Sequence, residues 1–116
     1  MKGIKIRYKF WLETREGESI MGDGTWELLQ LIRSEGSLMA AVQKKGYSYR
    51  KTWNKLKDIE NKLGFALLEK QRGGSSGGSS MLTEKAESLI GDFELLHRKS
   101  EVQINDIIEG IENKWQ

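Results

Sequence analysis

The chain predicts a mainly α-helical fold of the α+β class: a winged helix-turn-helix with an N-terminal β-hairpin and a long C-terminal dimerisation helix. Three observations predict it. Residues 36–64, GSLMAAVQKKGYSYRKTWNKLKDIENKLG, read as two amphipathic helices joined by a tight turn at Gly46. Residues 65–83, FALLEKQRGGSSGGSSMLT, read as two short strands about a glycine/serine tip. From Thr83 onward, apolar residues recur every three or four positions as far as Trp115. A helix pair followed by a hairpin wing is a DNA-reading arrangement.

At the N-terminus, Ile4, Ile6, Tyr8, Phe10 and Leu12 alternate with Lys5, Arg7, Lys9, Trp11 and Glu13. That period of two predicts a half-buried strand. Thr14 to Glu18 supply a turn and Ser19-Ile20-Met21 a short partner, so residues 4–21 form the N-terminal hairpin. Lys5, Arg7 and Lys9 are read as a solvated strand face. Gly22-Asp23-Gly24 then breaks the strand, with Asp23 a candidate cap for the first helix. Trp26, Leu28, Leu29 and Ile32 carry that helix to about Glu35.

Gly36 ends the first helix and Ser37 caps the second, whose apolar stripe is Leu38, Ala41 and Val42. Gly46 takes the left-handed conformation that a sharp turn requires. Ser48 caps a third helix running to Leu63. At about 100° per residue, Thr52, Leu56, Ile59 and Leu63 share one face, with Tyr49 close by. Arg50, Asn54, Lys57 and Asn61 fall opposite, and Trp53 lies on the border. Phe65, Leu67 and Leu68 are expected in the first wing strand, and Met81-Leu82 in the return strand. Thr83 caps the last helix, with the stripe Ala86, Leu89, Phe93, Leu96, Ser100, Ile104, Ile107, Ile111 and Trp115. Gly91 and Gly110 are the places where this helix would break. A seam this long exceeds what one small domain can cover, so a second copy is its expected cover.

The chain has 116 residues, enough for one domain and not two. Residues 1–116 are therefore read as a single domain: 4–21 the hairpin, 25–82 the helix-turn-helix and wing, and 83–115 the dimerisation helix. There is no cysteine, which excludes disulfides and thiolate metal sites and fits a cytoplasmic setting. No apolar run suggests a signal peptide or membrane span. Net charge is only +2, but it is unevenly distributed. Residues 43–72 hold nine basic and three acidic side chains, residues 1–42 six of each, and residues 73–116 four basic and eight acidic. A basic middle between neutral and acidic ends marks an anion-binding face.

Several of these features resemble the N-terminal DNA-binding domain of ModE-type molybdate-responsive regulators of prokaryotes and, more distantly, the LysR-type helix-turn-helix. The residues concerned are Gly36-Ser37, the Gly46-x-Ser48-Tyr49 turn, Trp53, the glycine pairs Gly73-Gly74 and Gly77-Gly78, and Leu82-Thr83. The resemblance spans roughly residues 24–100, and the ordered spacing is more specific than any single motif. It implies a winged helix, dimerisation through the first and last long helices, and a palindromic operator in double-stranded DNA. The family's molybdate-binding domains are C-terminal and have no counterpart before Gln116, so molybdate binding is not expected. Gly73 to Ser80 also has the composition of an engineered linker, and the family's glycine-rich wing favours a native origin.

Ser48, Tyr49, Arg50, Lys51, Asn54 and Lys57 are the candidate DNA-binding residues of the third helix. Arg50 suits guanine O6 and N7, Asn54 suits adenine, and Lys57 suits phosphate. Ser48 can cap the helix or bond phosphate, and Tyr49 and Trp53 are read as packing with their polar atoms outward or, alternatively, contacting the sugar-phosphate backbone. Lys70, Arg72, Ser75 and Ser76 are the wing candidates for phosphate or the minor groove. Trp26, Leu89, Phe93, Leu96, Ile104, Ile107 and Ile111 are the candidate dimer interface.

No enzyme is expected. The one histidine, His97, lies beside the long seam and is read as structural. The glycine run has no following lysine of a phosphate-binding loop, and no acidic group has metal-ligand spacing. No cofactor or metal is therefore expected. The reading is a homodimeric, sequence-specific DNA-binding regulator. The alternative is a winged-helix protein-interaction module without specific DNA binding, since fold does not fix function.

Overall fold

The structure is a computed structural model that describes residues 3–70 and 80–115. Element order is β1 (Trp11–Glu13), β2 (Ser19–Gly22), α1 (Asp23–Glu35), α2 (Leu38–Lys45), α3 (Tyr49–Leu63), β3 (Leu68–Lys70), β4 (Ser80–Leu82) and α4 (Glu84–Trp115). Among the described residues it is an α+β fold with two antiparallel two-stranded sheets, β1–β2 and β3–β4.

Local chemistry sets most helix ends. Ser37 Oγ accepts from Ala40 N–H at 3.1 Å, Ser48 Oγ from Lys51 N–H at 3.3 Å, and Thr83 Oγ1 from Ala86 N–H at 3.1 Å. Each satisfies an amide that the helix itself leaves unpaired. Gly36, Gly46 and Gly64 close α1, α2 and α3 at positive φ, with 72° at Gly46. The connection from α2 to α3 is held by the amides of Gly46 and Tyr47, which donate to Gln43 O and Val42 O.

These helices bury their stripes together. Leu28, Leu29 and Ile32 of α1 meet Leu38, Ala41 and Val42 of α2, Leu56 and Ile59 of α3, and Ala86, Ile90 and Phe93 of α4. Leu67, Leu68 and Leu82 from the second hairpin complete this core. Pairing runs Leu68↔Leu82, Glu69↔Met81 and Lys70↔Ser80. Lys62, at the end of α3, reaches the first hairpin by donating to Ser19 O at 3.1 Å and pairing with Asp58 at 3.3 Å.

Three sequence expectations are corrected. The N-terminal strand is confined to Trp11–Glu13, and residues 3–10 are not in a strand. Among the described residues the strand partner is the four-residue β2, and the ladder ends at Trp11↔Gly22. Ile6 and Tyr8 remain 47% and 37% exposed. Asp23 does not cap α1: Gly22 is the capping residue, without a side-chain bond, and the Asp23 carboxylate turns to His97 instead. Phe65 and Leu67 precede the second hairpin, whose first strand begins at Leu68. The long final helix is found as expected: α4 runs 32 residues without a break at Gly91 or Gly110. The helix formers around them outweigh a cost of about 1 kcal/mol per glycine.

From Glu94 onward, α4 has no buried residue. The Cα radius of gyration is accordingly 18.0 Å, with a long axis of 62 Å, against about 13 Å for a compact domain of similar length.

Candidate nucleic-acid interface

The Gly46 turn and the Ser48 cap bring α3 out of the core with one face free. Thr52, Leu56 and Ile59 anchor the inner face. On the outer side Arg50 and Asn54 are exposed within the N-terminal half of the helix, as their spacing predicts, and Lys51 is exposed beside them. Tyr49 is half-buried and packs on the core, while Trp53 is 37% exposed. Tyr49, Arg50, Trp53 and Asn54 line a shallow concavity of about 220 Å³. Ser48 is exposed and its hydroxyl is used as the helix cap.

Lys57 is differently placed from a free phosphate contact. Its ammonium pairs with Glu60 Oε1 at 3.0 Å and stands 5.0 Å over the Trp53 ring. Lys70 is exposed at the end of β3, across from Ser80. Arg72, Ser75 and Ser76 lie outside the described residues.

Glu60 was not among the residues singled out by sequence. Its Oε2 accepts both Leu67 N–H at 2.7 Å and Leu68 N–H at 3.0 Å, so the carboxylate fixes where the second hairpin starts relative to α3. Burial opposes its ionisation, but the Leu68 and Leu67 amides and the Lys57 ammonium outweigh that, and its pKa lies below the ordinary glutamate value. A sequence signal existed: at 100° per residue, Glu60 falls beside Leu56 and Leu63 on the otherwise apolar face.

His97 is structural in its surroundings. Its ring is stacked on Trp26 with centroids 4.5 Å apart, and Phe10 meets it edge-on at 5.1 Å. Its Nε2 lies 2.7 Å from Asp23 Oδ1, and Trp26 Nε1–H donates to Ile90 O at 3.2 Å. The cluster ties the N-terminal segment, α1 and α4 together. No group of three or more potential metal ligands occurs among the described residues. None of the described helices is long and apolar enough to cross a membrane.

The candidate interface residues of the long seam divide in two. Phe93 is buried within the chain and Trp26 is engaged with His97 and Ile90. Leu89, Ile104 and Ile111 are half-buried, while Leu96 and Ile107 are 39% and 62% exposed.

No protein-family model matches the chain. Among known proteins it is similar to the molybdenum-pterin-binding protein MopA of Rhodobacter capsulatus, with 32% identity over 82 residues, 71% of this chain and 31% of that protein. The molybdenum transport protein ModE of Herbaspirillum seropedicae is 36% identical over 73 residues, 63% of this chain and 27% of that protein. The transcriptional regulator ModE of Haemophilus influenzae is 35% identical over 74 residues, 64% of this chain and 29% of that protein. The chain thus spans about a third or less of the length of these relatives, whose names are those of a molybdenum-pterin-binding protein, a molybdenum transport protein and a transcriptional regulator, and not of enzymes. The similarity supports a ModE-like relationship for the part of the chain that it covers.

Proposed function

We propose that the chain is a sequence-specific, DNA-binding transcriptional regulator that acts as a homodimer. The helix pair α2–α3 is read as a helix-turn-helix and β3–β4 as its wing. The observation that carries this is the row Arg50, Lys51 and Asn54, exposed at the N-terminal half of a helix that its own turn projects from the core. Those side-chain types suit base edges and phosphates in a major groove, which is wide enough for one helix. The basic excess of residues 43–72 supplies the sequence-independent attraction. Lys70 stands where the wing would meet the flanking backbone, with Arg72, Ser75 and Ser76 the further wing candidates.

The similarity to a protein named as a transcriptional regulator agrees with this reading. The homodimer is supported by the long stretch of α4 that carries apolar residues yet buries none of them within one chain.

Fluorescence anisotropy against promoter DNA, across a salt series and beside Arg50→Ala, tests the proposal. Specific binding should survive competitor DNA and weaken in the variant by roughly tenfold or more, the worth of one bidentate base contact. Weak binding that vanishes with modest salt and ignores the substitution would refute it.

A further inference from the structure

The outer surface of α3 is not uniformly polar. Between Arg50 and Asn54 it opens into the 220 Å³ concavity, to which Tyr49 and Trp53 contribute aromatic surface. Trp53 keeps 37% of its surface exposed there. Its ring also has a cation set over it. Lys57 sits over it at 5.0 Å, Glu60 holds Lys57 at 3.0 Å, and the Leu67 and Leu68 amides hold Glu60. The aromatic surface is therefore positioned before anything binds, which lowers the cost of using it for recognition.

Resting on the regulator reading, we infer that this concavity receives the 5-methyl group of a thymine. Arg50, Trp53 and Asn54 lie within about one helical turn, so a helix that brings Arg50 and Asn54 to base edges carries the indole into the same groove. The major-groove edge of a base pair consists largely of hydrogen-bond donors and acceptors, and the one methyl group on it is that of thymine. An aromatic ring pressed on a polar edge strips its water and returns no hydrogen bond. Pressed on the methyl, it buries apolar surface on both sides. The arrangement thus assigns Arg50 and Asn54 to polar readout and Trp53, with Tyr49, to a thymine between or beside their bases.

The test uses the full chain and a duplex that it selects from a random-sequence pool. Each thymine of that duplex is replaced singly by deoxyuridine, which removes the methyl and leaves the pairing. One position in each half-site should lose about three- to tenfold in affinity, the worth of a buried methyl in close contact. In Trp53→Ala the same replacement should cost clearly less, whereas Trp53→Phe should retain more of the loss. The wild-type series needs no variant to fold. A second reading on wild type is 5-iodouracil at the sensitive position, which should cross-link to Trp53 or Tyr49 on irradiation. A selected duplex indifferent to every deoxyuridine, or a methyl effect unchanged in folded Trp53→Ala, overturns this inference and leaves the regulator reading standing. A pool that yields no bound duplex overturns both.

Discussion

Among the charged side chains, Glu60 is the one whose removal should do the fold marked damage. Its Oε2 accepts two amides, at 2.7 and 3.0 Å, from Leu67 and Leu68, which are 0% and 5% exposed. In Glu60→Ala those amides lose their acceptor with little access to water. A hydrogen bond to a charged group contributes about 1.5–3 kcal/mol, and because the two bonds share one oxygen we take about 3 kcal/mol for the pair. Loss of the Lys57 contact adds at most about 1 kcal/mol, since such pairs are weak near the surface. For a chain of this size, 3 kcal/mol corresponds to a fall in Tm of roughly 12 °C. Glu60→Gln keeps a carbonyl oxygen for the amides and loses the charge, so it should cost only about 1 kcal/mol.

The pH dependence has a definite sign. The Glu60 pKa in the folded chain lies below the ordinary value of 4.5. Its ionisation therefore stabilises the fold fully above the unfolded-state value, and that contribution is lost as pH falls through the lower folded-state value. The gap in Tm between wild type and Glu60→Gln should be constant from neutral pH to just above 4.5 and close below it. Thermal and urea unfolding of the three proteins over this range measure both effects. The reasoning fails if Glu60→Ala is no less stable than Glu60→Gln, or if the gap widens in acid.

Three further outcomes follow from packing and helix chemistry. Gly91→Ala should raise stability by about 0.5–1 kcal/mol in urea unfolding, because the glycine lies inside α4 and a Cβ there meets nothing within 4 Å. Ser37→Ala should lower it by about 0.5–2 kcal/mol by removing the α2 cap, while Ser37→Asp should retain most of that. Leu29→Ala should cost about 2–5 kcal/mol, since Leu29 is fully buried at the centre of α1.

Helix ends were legible because the chemistry that sets them is local. Ser37, Ser48 and Thr83 bond to amides three residues on, and Gly36, Gly46 and Gly64 adopt left-handed turns, so neighbouring residues decide the outcome. The free face of α3 was legible for the same reason: Arg50 and Asn54 lie opposite Thr52, Leu56 and Ile59 by helical spacing alone. What depended on distant partners was not legible. Asp23 has the chemistry of a cap, yet its partner is His97, 74 positions away. Lys57 has the chemistry of a phosphate contact, yet it pairs with Glu60, whose own place is set by the Leu67 and Leu68 amides beyond the end of α3. The alternation of residues 4–12 describes a face that strand pairing would half-bury, but alternation cannot supply a partner strand.

That last shortfall and the uncovered half of α4 share a physical origin. Ile4 N–H donates to Glu112 Oε1 at 2.9 Å, which brings the N-terminal segment to the far end of α4. Each is amphipathic, and neither finds enough of its own chain to bury: Ile6 is 47%, Val102 59% and Ile107 62% exposed. A second copy set against α4 would remove that surface from water, and under two-fold symmetry any residue near the axis is buried twice. Ile107→Glu then places two carboxylates in an apolar seam, where each loses hydration and repels the other. The monomer pays nothing comparable, because residue 107 is exposed in it. Sedimentation equilibrium should therefore show wild type as a dimer and Ile107→Glu as a folded monomer with unchanged helicity. A variant that remains as dimeric as wild type would exclude this part of α4 from the interface and leave its apolar stripe without the role proposed for it.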